Sequence, residues 1–167
     1  GVRLLIINKK VKDDFAKVKS LTDLSQFVGL QKSSWSDYDV LVANGLNIEG
    51  ALPFQAMYKA VDTGIADYFP RSAMTVLSEL KNNNQGNLML EPNLSLHYDN
   101  LFYFYLNKKD IQLKQLLTKG LNRLRESGRF DEIFNKYFSN RLAGLDLDNR
   151  MKLHLTLPAD FSKVTKK

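Results

Sequence analysis

The sequence predicts an α/β protein with a mainly parallel sheet and helices on both faces, and three observations carry that prediction. Leu4 to Ile7 is an uninterrupted apolar run, the pattern of a strand covered on both sides. Further short apolar or alternating segments are separated by stretches with helical spacing. Finally, residues 53–72 place an amphipathic helix, a glycine stop and a four-residue strand directly one after another.

After the opening strand, Ser20 is placed to cap a short helix from Leu21 to about Gln26, with Asp23 as a capping-box partner. Phe27 to Gln31 reads as a second strand. Ser33 and Ser34 then stand where a helix cap belongs, ahead of a helix with Tyr38, Leu41 and Val42 on one face and Asn44-Gly45 at its end. In the next helix Phe54, Met57, Tyr58 and Val61 share a face, Pro53 suits its start and Gly64 its end. Ala66 to Phe69 is a strand that Pro70 is expected to stop, because proline has no N–H for the ladder.

Beyond it, Ser72 caps a helix with Ala73, Val76, Leu77 and Leu80 inward, and the polar run Asn82 to Gly86 is a loop. Leu88 to Leu90, the alternating Leu94, Leu96 and Tyr98, and a buried aromatic strand Leu101 to Leu106 are extended. A long helix from about Asp110 to Glu126 turns Leu113, Leu116, Leu117, Leu121 and Leu124 inward. Ser127-Gly128 breaks it, and the last helix carries Phe130, Ile133, Phe134, Tyr137 and Phe138 as a packing stripe.

Composition narrows the function. With 167 residues and 44% of them hydrophobic, the chain can bury a core, while its longest apolar run is strand-sized, so it does not itself span a membrane. Val2 to Ile7 is too short for a signal peptide, and any export signal is expected upstream or already removed. The lack of cysteine removes disulfides, thiolate metal sites and cysteine nucleophiles. The net charge of +6 is concentrated toward the two ends, and residues 33–107 hold 3 basic against 8 acidic groups. A solvated surface with a frayed tail at Lys163, Lys166 and Lys167 accounts for this, so no nucleic-acid partner is expected.

Arg71 follows a strand at the end of a sheet where open α/β folds receive small molecules, and a guanidinium there can grip a carboxylate or phosphate through paired hydrogen bonds. It can equally pair with a nearby acid such as Glu79. His97 and His154 are the two histidines, far apart in sequence and without metal-ligand spacing. No nucleophile elbow, phosphate loop or dinucleotide fingerprint is present, so no catalytic residue, metal or cofactor is expected.

The order of parts resembles the bacterial extracytoplasmic solute-binding proteins of family 3, amino-acid-type substrate-binding proteins of ABC transporters with the periplasmic binding protein type II fold. The resemblance rests on Gly29 to Asp37, similar to that family's strand and ligand-contacting turn, and on Met57 to Ser72, similar to its helix, glycine, strand and ligand loop. It rests also on Leu113 to Phe138, which resembles the closing helices, and it covers residues 1 to about 145.

It implies a two-lobe, three-layer α/β/α architecture: residues 1–8 as a hinge strand, 9–92 as lobe two, and 93–167 as the return strand, C-terminal helices of lobe one and tail, with the start of lobe one missing. It implies Ser34, Trp35, Tyr68, Arg71 and Ser72 as ligand-binding residues, with Ser34 open to the competing role of helix cap. Where the family commonly places an aspartate for the ligand ammonium, this chain has Ser72 beside a cation, a departure that weighs against an α-amino acid and favours a solute with an extra anionic or hydrogen-bonding group. The solute expected is small and polar, anionic or amino-acid-like. The implied protein is a periplasmic, non-enzymatic receptor for a small polar solute, partnered by a membrane transporter or receptor. The alternatives are a ligand-sensing ectodomain and a dehydratase-like enzyme on the same fold.

Overall fold

The computed structural model describes residues 1–83, 86–99 and 103–159. Among these, seven strands form one sheet: β1 (Val2–Asn8), β2 (Gly29–Leu30), β3 (Ile48–Glu49), β4 (Tyr68–Ser72), β5 (Leu88–Leu90), β6 (Leu94–His97) and β7 (Met151–His154). The helices are α1 (Lys12–Phe15), α2 (Leu21–Leu24), α3 (Ser36–Ala43), α4 (Phe54–Thr63), α5 (Val76–Asn83), α6 (Ile111–Glu126) and α7 (Arg129–Ala143). The chain divides into two compact units, Gly1–Asp99 with Asp146–Lys167, and Asn100–Leu145.

The first unit holds the sheet, in the order β3-β2-β4-β1-β6-β7, with β5 also on β1. β1 is antiparallel to β4, β5 and β6, whereas β2 is parallel to β3 and β4, and β6 to β7. Six strands therefore point one way and β1 alone runs against them, so the sheet is mainly parallel as the sequence predicts. The central place of β1 explains its composition: Leu4, Leu5, Ile6 and Ile7 have neighbours on both faces and are fully buried. Leu5 and Ile7 face a cluster with Phe15, Val18, Leu24, Val40 and Leu41, from the first three helices and their flanks. The opposite face packs on α4, where Tyr58 stands edge-to-face on Phe69 at 5.2 Å between ring centroids. Two helical layers thus enclose the sheet.

Local chemistry sets the ends of these elements. The Ser20 side chain accepts from the Asp23 N–H at the start of α2, and Asp23 accepts in turn from the Lys19 N–H. α4 begins after Pro53 and stops at Gly64, whose φ of 77° lies in the left-handed region that glycine enters without strain. Asn8 closes the other side of that stop by donating from Nδ2 to the carbonyls of Val61 and Asp62 at 3.0 and 2.8 Å.

Several sequence expectations change. Pro70 does not end β4, which runs to Ser72 with Pro70 opposite Leu5. The Ala73 N–H bonds to Val2 on β1 while the Tyr68 N–H faces Val28, so by alternation the Pro70 nitrogen points toward β2. Pairing with β2 is confined to Tyr68, so no ladder bond is lost. β2 is only two residues long rather than Phe27 to Gln31. α3 has Trp35 at its N-cap position with no side-chain cap bond, so Ser33 and Ser34 do not cap it. Val42 is exposed instead of sharing the buried face. α5 begins at Val76; Ser72 instead accepts from the Met74 N–H in the preceding turn, and Leu77 is exposed. Of the polar loop Asn82 to Gly86, Asn84 and Gln85 lie outside the described residues, as do Lys163, Lys166 and Lys167 of the tail.

The second unit is a pair of helices, α6 capped by Asp110 and α7 entered through Gly128 at φ 73°. The expected aromatic strand at 101–106 is not formed: Leu101 and Phe102 lie outside the described residues, and Tyr103 to Leu106 are irregular, with Tyr105 90% exposed. Among the described residues of this unit no strand lies alongside to pair with it. The inward faces are likewise only half covered. Leu116 is 68% exposed, Leu113, Phe130, Ile133 and Tyr137 are also exposed, and neither helix has a buried residue. Two helices without a third layer can cover only the stripe along their mutual contact.

Candidate functional site

β2 and β4 run parallel, so their carboxyl ends emerge on the same end of the sheet. From β2 the chain enters a turn held by the Trp35 N–H on the Lys32 carbonyl and the Ser33 N–H on the Gly50 carbonyl, at 2.9 and 3.1 Å. Gly50 is needed for that contact, because a Cβ there would lie 2.6 Å from the Tyr38 ring. From β4 emerges Arg71, whose side chain is 13% exposed. Its guanidinium carbon lies 5.2 Å from the Trp35 ring centroid, 5.1 Å from Phe54 and 4.8 Å from Phe69. Three aromatic faces therefore surround the cation from the turn, from α4 and from its own strand.

Arg71 is also paired. Its Nε donates to Glu79 Oε2 at 2.5 Å and its Nη2 to Oε1 at 3.0 Å, and the Tyr58 hydroxyl donates to Oε2 at 2.7 Å. Burial pushes the Glu79 carboxyl up, but the hydrogen bonds from Arg71 and Tyr58 and the Arg71 charge outweigh it and hold the group below its usual range. Desolvation, then the same carboxylate, push the Tyr58 hydroxyl well above its ordinary value. Two of the five guanidinium N–H groups serve Glu79.

Of the other residues singled out in the sequence, Ser34 is exposed on the turn and Ser72 is half-buried beside Arg71. Tyr68 is fully buried; its ring meets Phe15 edge-on and covers Gly29, placing it in the core cluster and not with Trp35 and Arg71. Its hydroxyl has no hydrogen-bond partner, and burial, with the nearby Asp67 charge, raises its pKa strongly. Asp67 anchors β2 by accepting from the Val28 N–H at 2.7 Å.

A second ionic cluster was not visible in the sequence. Arg3 donates from Nε and Nη2 to the two oxygens of Asp37 at 2.9 and 3.0 Å, and the Tyr98 hydroxyl donates to Oδ1 at 2.5 Å. Burial pushes the Asp37 carboxyl up, yet Arg3, then Tyr98 and the charge of Arg71 hold it below the ordinary carboxylate range. The cluster ties the first turn of α3, just after Trp35, to β1. No local spacing signals a pair 34 residues apart; only the oddity of an arginine in an apolar strand could have prompted the search. The histidines, distant in sequence, become register partners on β6 and β7 with ring centroids 5.6 Å apart.

No protein-family model and no curated protein sequence matches the chain. Solved structures do. An ancestral arginine-binding protein bound to arginine is 16% identical with a TM-score of 0.58, over 82% of this chain and 60% of its own length. An ancestral amino acid-binding protein, a precursor of cyclohexadienyl dehydratase, is 17% identical with a TM-score of 0.54, over 83% and 59%. A mutant arginine-binding protein from T. maritima is 20% identical with a TM-score of 0.50, over 83% and 59%. At these identities the likeness defines the fold, which is that of amino-acid solute-binding proteins. The chain spans about 60% of the length of such proteins.

Proposed function

We propose that the chain is the greater part of an extracytoplasmic solute-binding protein that takes up a small amino-acid-like solute and hands it to a membrane transporter. In this reading residues 1–8 are the crossover strand, 9–92 form lobe two, and 93–167 lead back to lobe one. The observation that carries it is the convergence of Trp35 and Arg71, 36 positions apart, at the carboxyl ends of parallel strands in a fold whose neighbours bind amino acids.

The chemistry favours a zwitterion over a simple anion. Glu79 already neutralises Arg71, so the pair carries no net charge, while the guanidinium N–H groups that do not serve Glu79 supply the donors for a carboxylate. The Trp35 and Phe54 rings, 5.6 Å apart, supply an apolar wall for a side chain, and Ser34 and Ser72 supply hydroxyls nearby in the chain. Tyr68 contributes as the buried support beneath β2. The second reading is a dehydratase-like enzyme on the same fold, since a precursor of such an enzyme, itself an amino acid-binding protein, is among the structural neighbours.

Calorimetric titration of the protein with the twenty amino acids tests the proposal. At least one is expected to bind with a Kd of about 10 μM or tighter, and Trp35→Ala and Arg71→Ala each weaken that binding tenfold or more, about 1.4 kcal/mol. Binding by none, or equal binding by both variants, contradicts it. Turnover of a cyclic acid would favour the enzyme instead.

A further inference from the structure

The turn that carries Ser34 and Trp35 has both of its feet at one carboxylate. Gln31, fully buried at the exit of β2, accepts from the Lys32 N–H through Oε1 at 3.3 Å and places Nε2 3.5 Å from Asp37 Oδ2. Asp37 itself stands two residues beyond Trp35, in the first turn of α3. The other donors to that carboxylate come from distant strands: Arg3 to both oxygens and the Tyr98 hydroxyl to Oδ1. Each oxygen thus meets two donors, which uses the acceptor sites of a carboxylate and leaves none for a solute ammonium.

Arg3 and Tyr98 mark one place in the fold. Val2 and Arg3 at the start of β1 pair with His97 and Leu96 at the end of β6, and the Tyr98 N–H donates to the Gly1 carbonyl at 3.2 Å. The Arg3 guanidinium carbon also lies 5.4 Å from the Tyr98 ring centroid. Beyond Asp99 the chain runs into residues 100–145. In the solute-binding reading, β1 and β6 are the strands by which the chain passes between lobes, so Asp37 joins both of them to the turn that meets the solute. β1 is held through its fully buried residues Leu4 to Ile7, whereas Ser33 and Ser34 are exposed. A displacement at the strand ends therefore falls on the turn, whose Trp35 ring lies 5.2 Å from the Arg71 guanidinium carbon.

We propose that Asp37 is a positioning residue that couples the paired ends of β1 and β6 to the Trp35 turn, so that these strands set how Trp35 faces Arg71 and, with it, solute affinity. Asp37 acts through the place of the turn, without touching solute. Only the step to affinity rests on the solute-binding reading.

Tyr98→Phe, which removes one hydroxyl, and Asp37→Asn test the coupling through two separate readouts. Without solute, the emission of Trp35, the sole tryptophan, and its quenching by acrylamide report on the turn. Both variants are expected to shift the emission to longer wavelength and to raise the quenching constant. Calorimetry with an amino acid that wild type binds is expected to give a Kd about fivefold higher or more. A pair that only holds the fold together lowers the Tm and leaves emission, quenching and Kd at wild-type values in a folded variant, and that result overturns the proposal. An unchanged Kd in a variant whose Trp35 has moved overturns it as well. If Asp37→Asn does not fold, Tyr98→Phe decides alone. Should wild type bind no amino acid, the solute reading fails and the link to affinity with it, while quenching in the variants still decides the coupling.

Discussion

The most consequential side chains are the two guanidinium–carboxylate pairs. Arg3 and Asp37 are 11% and 16% exposed, so breaking the pair leaves a charge in a poorly solvated place. Asp37→Asn is expected to lower stability by about 3 kcal/mol at neutral pH. The pH dependence follows from the lowered carboxyl. Because the folded-state pKa lies below the unfolded value of about 3.9, the contribution is complete above that value and is lost as the pH falls through the folded one. Denaturation at pH 7, 4 and 2 should therefore show the gap between wild type and Asp37→Asn closing as acid is added; a constant gap would mean that the ion pair is not its source. Arg71 illustrates why residue chemistry alone left two roles open. The type and position of the side chain suited either a ligand or Glu79, and the eight-residue separation across a turn did not choose between them.

At the scale of elements, Gly29 carries a requirement that the sequence does not announce. A Cβ there would lie 2.5 Å from Tyr68 Cζ and 2.7 Å from Ile48 Cδ1, and the tyrosine ring is locked in the core. Gly29→Ala should destabilise by about 2 kcal/mol through overpacking, visible as a lower Tm, whereas an unchanged Tm would mean that the ring can yield. Other elements were legible because local rules agreed with tertiary packing. The α4 stripe of Met57, Tyr58 and Val61, its glycine stop and the buried run of β1 are of that kind. Pro70 misled because its fate depends on which neighbour its nitrogen faces, and that is fixed by pairing with β1. The leucines of α6 misled for a different reason: helical spacing marks a face that seeks cover, but cover requires another element within reach.

For the whole molecule, the antiparallel β1 between β4 and the β5–β6 edge could not be read from apolar patterning, since a buried strand looks alike in either direction. The α/β class and the convergence of Trp35 with Arg71 at the strand ends were legible, because parallel strands in this class present their carboxyl ends together. Tyr68 was not, since a single residue step reverses the face of the sheet that it serves.

Trp35 is the sole tryptophan, so its emission reports on the candidate site without interference. Fluorescence titration with individual amino acids therefore tests the solute-binding account most directly. The account predicts a saturable change in intensity or wavelength with at least one of them, moved to at least about tenfold higher concentration in Arg71→Ala and not reproduced by sodium chloride. Emission indifferent to the whole panel, or a change that persists undiminished in Arg71→Ala, would contradict it.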